Sequence, residues 1–376
     1  MRDLLAHADL ARYAGQFVWL ELSYDEEANR AFMTKYGANA TPTFFVIDPR
    51  DQHVIAMQPG AMSLAELTQF LDRGASSISV NEQTPADAAL TRADALLAEH
   101  PADAANAYKE ALKVAPANWP HRELAEASLV QALQDSSLWQ PCAETAVAEA
   151  APMKRDVIFV RTVVGGMWCL ASVDPSPWAD SALAKLRPMA DEALGLPTTV
   201  RDHRDAIYRT LMYISLNRND KSAAEKYGER WLAELDAIQP RSDDERSALD
   251  IARVENIQVY GDPNRILPAL IESERAMPNN YIASLRLAEI EEAAKRYDGA
   301  IAASDRGLAR SPGANGRAWL LRIKAECLRA EGKTAEAHQS LEEGLKAAQE
   351  IPTQMGRDMN ISMIQKMLKM TEQPAK

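Results

Sequence analysis

Residues 293–312 read AAKRYDGAIAASDRGLARSP, a helix whose one face carries only small residues, Ala300, Ala303 and Gly307, and which is then stopped by Pro312. Small side chains at that spacing let a second helix approach closely, and a proline cannot continue the helix it follows. The stretch just before, RILPALIESERAMP, ends the same way at Pro278, 34 residues ahead of Pro312. KTAEAHQSLEEGLKAAQEIP repeats the pattern with Ala337, Leu341 and Gly344, and DAANAYKEALKVAP has it earlier with Ala104, Tyr108, Ala111 and Pro116. A recurring period of this length is the signature of a repeat architecture, so the repeat decides the fold of most of the chain.

The period and the placement of small residues and proline resemble the tetratricopeptide repeat. That resemblance implies antiparallel helix pairs, roughly seven of them over 85–352, closed by a capping helix from about 355 to 371. Between 137 and 240 helices still alternate, but the motif is not clean. In the family, the first helix of each pair lines a concave, protein-binding face. By that register Glu255, Glu289, Glu292, Arg322, Glu326 and Arg329 fall on it, a mixed surface that leans acidic. It lacks the Lys/Asn pattern with which such proteins clamp a C-terminal carboxylate.

Ahead of the repeats stands KYGANATPTFFVIDP (35–49). Residues 1–14 carry apolar residues at helical spacing up to Gly15. FVWLEL (17–22) is a short, nearly continuous apolar run, as expected of a strand buried on both faces. Asp25, Glu26 and Glu27 favour a helix start, with Ala28, Phe32 and Tyr36 on its buried side and Gly37 at its end. TFFVID (43–48) and HVIAMQ (53–58) read as a hairpin around DPRDQ. Ser63 and Glu66 form a capping box for a helix to about Arg73, and GASSISVNEQT (74–84) has the polar, small composition of a linker.

This order of elements, with the Tyr-Gly-x-x-x-x-Pro-Thr spacing, resembles the C-terminal three-quarters of a thioredoxin fold. The resemblance implies a cis-proline at Pro42 and a loop, Thr41, Pro42 and Thr43, that pairs its backbone with an extended client segment. It departs from that family where chemistry would reside. No Cys-x-x-Cys occurs in the chain, and the strand that would lie between the equivalents of FVWLEL and TFFVID is missing. Two inner strands would then lack their shared neighbour. Either the chain begins at an internal Met of a longer protein, or the domain repacks, for instance against the first repeat.

The expected fold class is therefore α+β multidomain and mostly α: a partial thioredoxin-like fold followed by an α-solenoid of tetratricopeptide-type hairpins. The domains are 1–73, a linker 74–84, repeats 85–352, and a capping helix and tail 353–376. A net charge of −12 with no basic block gives little counterion release, which argues against nucleic-acid partners. No apolar run is long enough to span a bilayer. Cys142, Cys169 and Cys327 are far apart and odd in number, and read as buried small apolar residues. The six histidines are scattered, without metal spacing, so surface or capping roles are expected and no metal or cofactor is. Gly165-Gly166 reads as a close helix crossing, and acidic clusters such as DDE (243–245) as helix starts.

The function this implies is a protein-binding scaffold with a module that is redox-inactive as written. Its clients, proteins or peptides, are met at the proline loop and the repeat groove. The alternative is a thiol–disulfide oxidoreductase whose Cys-x-x-Cys and export signal lie upstream of Met1. The compartment is cytoplasmic as written and extracytoplasmic in that alternative.

Overall fold

The 43–58 hairpin forms as the alternating apolar pattern requires: β1 (Thr43–Ile47) and β2 (Val54–Pro59) pair antiparallel, with Thr43 opposite Pro59 and Phe45 opposite Met57. In this computed structural model the described residues are 2–23, 26–37, 42–60, 62–78, 84–97, 100–352 and 354–371. They fall into two compact units, Met1–Glu21 with Phe32–Ala224, and Leu22–Ala31 with Glu225–Lys376.

In the first unit, the expected helix over 1–14 is instead a short α1 (Arg2–Leu5) and a 3-10 turn (Ala8–Tyr13), ended by Gly15 at φ +77°. The helix expected from the acidic cluster at 25–27 to Gly37, whose part up to Ala31 is grouped with the second unit, likewise shortens to a 3-10 turn (Glu27–Asn29) and α2 (Arg30–Lys35), with Gly37 at φ +60°. The Tyr13 hydroxyl donates to Asp72 Oδ1 at 2.7 Å, tying the first turn to α3 (Leu64–Ile78). The capping box at its start is reciprocal: Glu66 N–H donates to Ser63 Oγ, and Ser63 N–H to Glu66 Oε2.

Two expectations fail here. FVWLEL is not a strand, and Val18 (88% exposed), Trp19 (48%) and Leu20 (74%) face solvent. A strand buried on both faces needs neighbours for its backbone, and the described sheet has only two strands, so none adjoins it. Only Phe17 packs onto the small core of Leu10, Tyr13, Val46, Ile55, Leu67, Phe70 and Leu71. Of the thioredoxin-like fold, then, only this hairpin and its helix are seen, and the resemblance remains a sequence-level one. The helix expected to end near Arg73 is also longer than expected. α3 continues to Ile78, through Gly74, whose missing side chain makes room for β1: a Cβ there would meet Val46 Cγ2 at 2.8 Å.

A two-stranded sheet is marginal in water unless a helix covers it. Here β2 packs on α3 and on the first repeat helix, α4 (Pro85–Leu97). α4 pairs with α5 (Pro101–Val114), and the first unit continues through α6 (Arg122–Asp135), α7 (Trp139–Ala150), α8 (Val157–Ala171), α9 (Pro177–Gly195) and α10 (Arg201–Asn217). The Gly165-Gly166 crossing is as expected. A Cβ on Gly165 would lie 2.8 Å from Val130 Cγ1, and one on Gly166 would lie 2.5 Å from Ala146 Cβ. α8 can therefore touch α6 and α7 at once. Reading all three cysteines as separate apolar residues is corrected at the same place, because Cys142 of α7 and Cys169 of α8 form a disulfide, both fully buried. Cys327 is free and buried.

α11 (Lys221–Asp236) leads into the second unit, which holds α12 (Asp243–Val259), α13 (Leu267–Ala276), α14 (Tyr281–Ala293), α15 (Tyr297–Ala309), α16 (Ala314–Ala330), α17 (Thr334–Gln349) and α18 (Gln354–Thr371). α4 to α17 are fourteen helices among the described residues, many of them packed as hairpins with a sequence neighbour, as α4 with α5, α7 with α8, α14 with α15 and α16 with α17. Ala300, Ala303 and Gly307 are buried at the α14–α15–α16 junction, where a Cβ on Gly307 would touch Leu320 at 2.9 Å and Ser284 at 3.2 Å. Ser242 caps α12 by accepting from Glu245 N–H, which accounts for the acidic cluster at its start.

Candidate functional site

Stacked hairpins make two tracks of helices, and the track whose members lie closer together is the inner one. In the second unit α12 packs on α14, α14 on α16 and α16 on α18, whereas α13, α15 and α17 mainly contact their own hairpin partners and the inner helices. The inner face is thus built by the helices that carry the predicted groove residues.

Glu289, Glu292, Arg322 and Glu326 come together there. Arg322 Nη1 donates to both oxygens of Glu326, at 3.2 and 3.1 Å. Glu292, on the neighbouring α14, shares a hydrogen bond with Glu326, so two carboxyl groups face each other across the α14–α16 seam. Burial, then that hydrogen bond and the Glu326 charge, push Glu292 up to about 9, and the pair holds a proton at neutral pH. Glu289 is buried and accepts from Arg286 Nη1 at 2.7 Å, an arginine outside the set that the repeat register predicts. Glu255 lies half-buried on α12 and Arg329 is exposed in the last turn of α16. Trp319 sits one turn below Arg322, whose guanidinium is 5.9 Å from its ring centroid. Such a face offers fixed charges of both signs and an aromatic surface. Cys327, the nearest thiol, is pushed up to about 12 by burial and by Glu292 and Glu326.

The second predicted site is only partly visible. Thr41 lies outside the described residues. Pro42 C=O accepts from Gly60 N–H at 2.8 Å, and Thr43 opens β1 opposite Pro59.

Other charged clusters have structural partners. Arg73 of α3 pairs with Asp94 of α4 at 3.0 Å, with side chains 9% and 2% exposed, and Tyr108 OH of α5 donates to the same carboxylate at 2.6 Å. Burial raises Asp94 against the opposing pull of Arg73, Tyr108 and Arg161. His203 of α10 is pushed down to about 4 by burial and by Arg161, so it is neutral at pH 7. Asp48, Asp51 and His53 bring ligand atoms within 4.8 Å of one another, but Arg50 engages both Asp48 oxygens and His53 Nδ1 lies 2.6 Å from Asp51. These contacts account for the cluster without an ion.

The fold and this inner face define a mostly helical protein of stacked, tetratricopeptide-like hairpins. No family model matches the sequence, and no curated protein does. Among solved structures, the chain is similar to a tetratricopeptide repeat protein from Parabacteroides merdae. The identity is 12% and the TM-score 0.46, over 77% of this chain and 99% of that one. At that level of likeness the hairpin class rests on the helix packing itself.

Proposed function

We propose that the chain is a protein-binding scaffold whose main recognition surface is the inner face of the Glu225–Lys376 unit. The observation that carries this reading is the juxtaposition of Glu292, Glu326 and Arg322 with Arg286–Glu289 on adjacent inner helices. Charged groups held in fixed positions on a helical face select a partner by complementarity more than they stabilise the fold. The loop at Thr41, Pro42 and Thr43 is a second, minor surface, where an extended client segment adds its backbone beside β1. Its support is the sequence resemblance together with a sheet in which β2 is the one strand neighbour of β1 among the described residues.

The chain's own cysteines give no support to thiol–disulfide exchange. Two are buried in one disulfide, and the third is buried with its thiol held protonated. The disulfide does favour maturation in an oxidising compartment, since buried disulfides are rare where thiols are kept reduced.

Selection of a random peptide library on the folded chain tests the main reading. Peptides enriched on the wild type are expected to lose binding to the Glu255→Lys/Arg329→Glu variant. Both changes are on the inner helices. Enriched peptides that bind the variant as well as the wild type, or a failure to enrich any, would refute it.

A further inference from the structure

Glu225, Gly228, Glu229 and Leu232 follow one another at steps of three and four residues, which puts them on one face of α11. That face meets the C-terminal end of α12, where Asn256 Nδ2 donates to Gly228 C=O at 2.9 Å. Between the two helices and the turn that follows α12 lies a cavity of about 300 Å³, at the small end of ligand sites. All of it belongs to the second unit. Leu232, Ile257 and Tyr260 give it apolar and aromatic walls, and Glu225, Glu229 and Asp262 bring exposed carboxylates to it.

Carboxylates alone would not specify a ligand. Asn256 adds an independent demand. It is 1% exposed, and its bond to the Gly228 carbonyl, which can only accept, fixes the amide nitrogen on that side and the oxygen on the other. Asn256 Oδ1 accepts no hydrogen bond among the described residues. It faces the Gly261 side of the cavity, 3.7 Å from where a Cβ on that glycine would stand. A buried acceptor is costly to leave without a donor, so the space beside it suits a group rich in N–H.

The charges make that group a cation. Glu225 forms no ion pair among the described residues. Asp262 uses one oxygen, Oδ1, to accept from the Asn264 N–H and side-chain amide, and these bonds hold its carboxyl below the ordinary aspartate range. Arg265 also lines the cavity, but its charge is shared between Asp236, at 2.9 Å from Nη2, and Glu229, at 3.8 Å from Nε. Two carboxylates thus stay open to a ligand.

We propose that this cavity binds a primary ammonium group on an alkyl stem. The head donates to Asn256 Oδ1 and to the Glu225 and Asp262 carboxylates, and the stem lies against Leu232, Ile257 and Tyr260. A lysine side chain of a protein partner and a free diamine both carry this chemistry. The cavity shares no residue with the Glu292–Glu326 surface, so neither reading rests on the other.

Nuclear magnetic resonance of the isotope-labelled full chain tests this by titration with Nα-acetyl-lysine amide and with cadaverine. Nα-acetyl-norleucine amide, which keeps the stem and lacks the charge, is the control. The Gly228 and Gly261 amides and the Asn256 side-chain amide are expected to shift saturably with at least one amine, at a roughly millimolar dissociation constant, and not with the control. Saturation by the lysine probe alone identifies a protein partner as the source, and by cadaverine alone a free amine. Glu225→Gln/Asp262→Asn is expected to weaken binding about tenfold or more. Gly261→Leu, which fills the space beside Oδ1, is expected to abolish it. Unchanged signals from α16 and α17 show that each variant remains folded. No saturable shift with either amine, an equal response to the control, or binding unaltered in both variants overturns the proposal.

Discussion

The Cys142–Cys169 disulfide allows a prediction whose size follows from the chain itself. It joins residues 27 apart in sequence, on the two arms of the α7–α8 hairpin. Closing a loop of that length in the unfolded chain removes entropy worth about 3.5 kcal/mol at 25 °C. Both sulfurs are fully buried, so Cys142→Ala/Cys169→Ala also leaves a small void, adding about 1 kcal/mol. With two compact units, a single unfolding transition is not assumed, and the readout has to be local. Hydrogen exchange read by mass spectrometry provides it. The slowest amides of α7 and α8 are expected to exchange roughly two thousand-fold faster in the double variant, the factor that about 4.5 kcal/mol implies. Peptides from α16 and α17, which lie in the other unit, serve as the internal control and should not change. Alkylation of the denatured, unreduced wild type should modify one cysteine, Cys327. Labelling of all three, or unaltered exchange over α7 and α8 in the double variant, would refute the reasoning.

Two further outcomes follow from buried charge. Arg73→Met strips Asp94 of its ion pair in a site 2% exposed, and is expected to cost about 3–5 kcal/mol; Arg73→Met/Asp94→Leu, which removes both charges, should recover most of that. Exchange over α3 and α4 measures both, and a double variant no better than the single would show that the pair is not the reason. For Glu292 the folded carboxyl is raised from the ordinary glutamate range up to about 9. Between those values the native state binds more protons than the unfolded one, so this group's contribution to stability is fully present at low pH and is lost as pH rises toward 9. Glu292→Gln should flatten that decline and be more stable than the wild type at the alkaline end. Urea midpoints measured across this range that run parallel for the two proteins would contradict the assignment.

What the sequence discloses, and what it hides, divides by the range of the interaction. The capping box at Ser63 and Glu66, the β1–β2 hairpin and the small-residue faces at Ala300 and Gly307 are local or periodic, and each is legible in the residues themselves. FVWLEL misleads because composition tells how well a segment suits burial, not whether neighbouring strands exist to bury it. Gly74 reads as the start of a linker because nothing near it in sequence reveals that Val46 presses on that point of a continuing helix. The disulfide has a faint signal, since Cys142 and Cys169 fall on opposite arms of one hairpin at nearly the same height. Seeing it requires the turn between the helices to be located first, in the stretch where the repeat motif is least clean. At the inner face the register picks four residues that do come together. That Glu292 meets Glu326 is a matter of side-chain reach between helices, across residues 34 apart in the repeat, which the sequence does not encode locally.

The first unit also shows how an incomplete sheet is stabilised. β1 and β2 alone would be marginal, and the apolar run at 17–22 does not join them. The support comes instead from the helices: β2 lies on α3 and α4, and Arg73 of α3 reaches the Asp94 carboxylate that Tyr108 of α5 also holds. Because that carboxylate of α4 is buried, its partners from α3 and α5 are held to one arrangement by the cost of leaving it unpaired. The N-terminal hairpin is thereby joined to the first repeat helix, α4, by side-chain contacts and not by the chain alone.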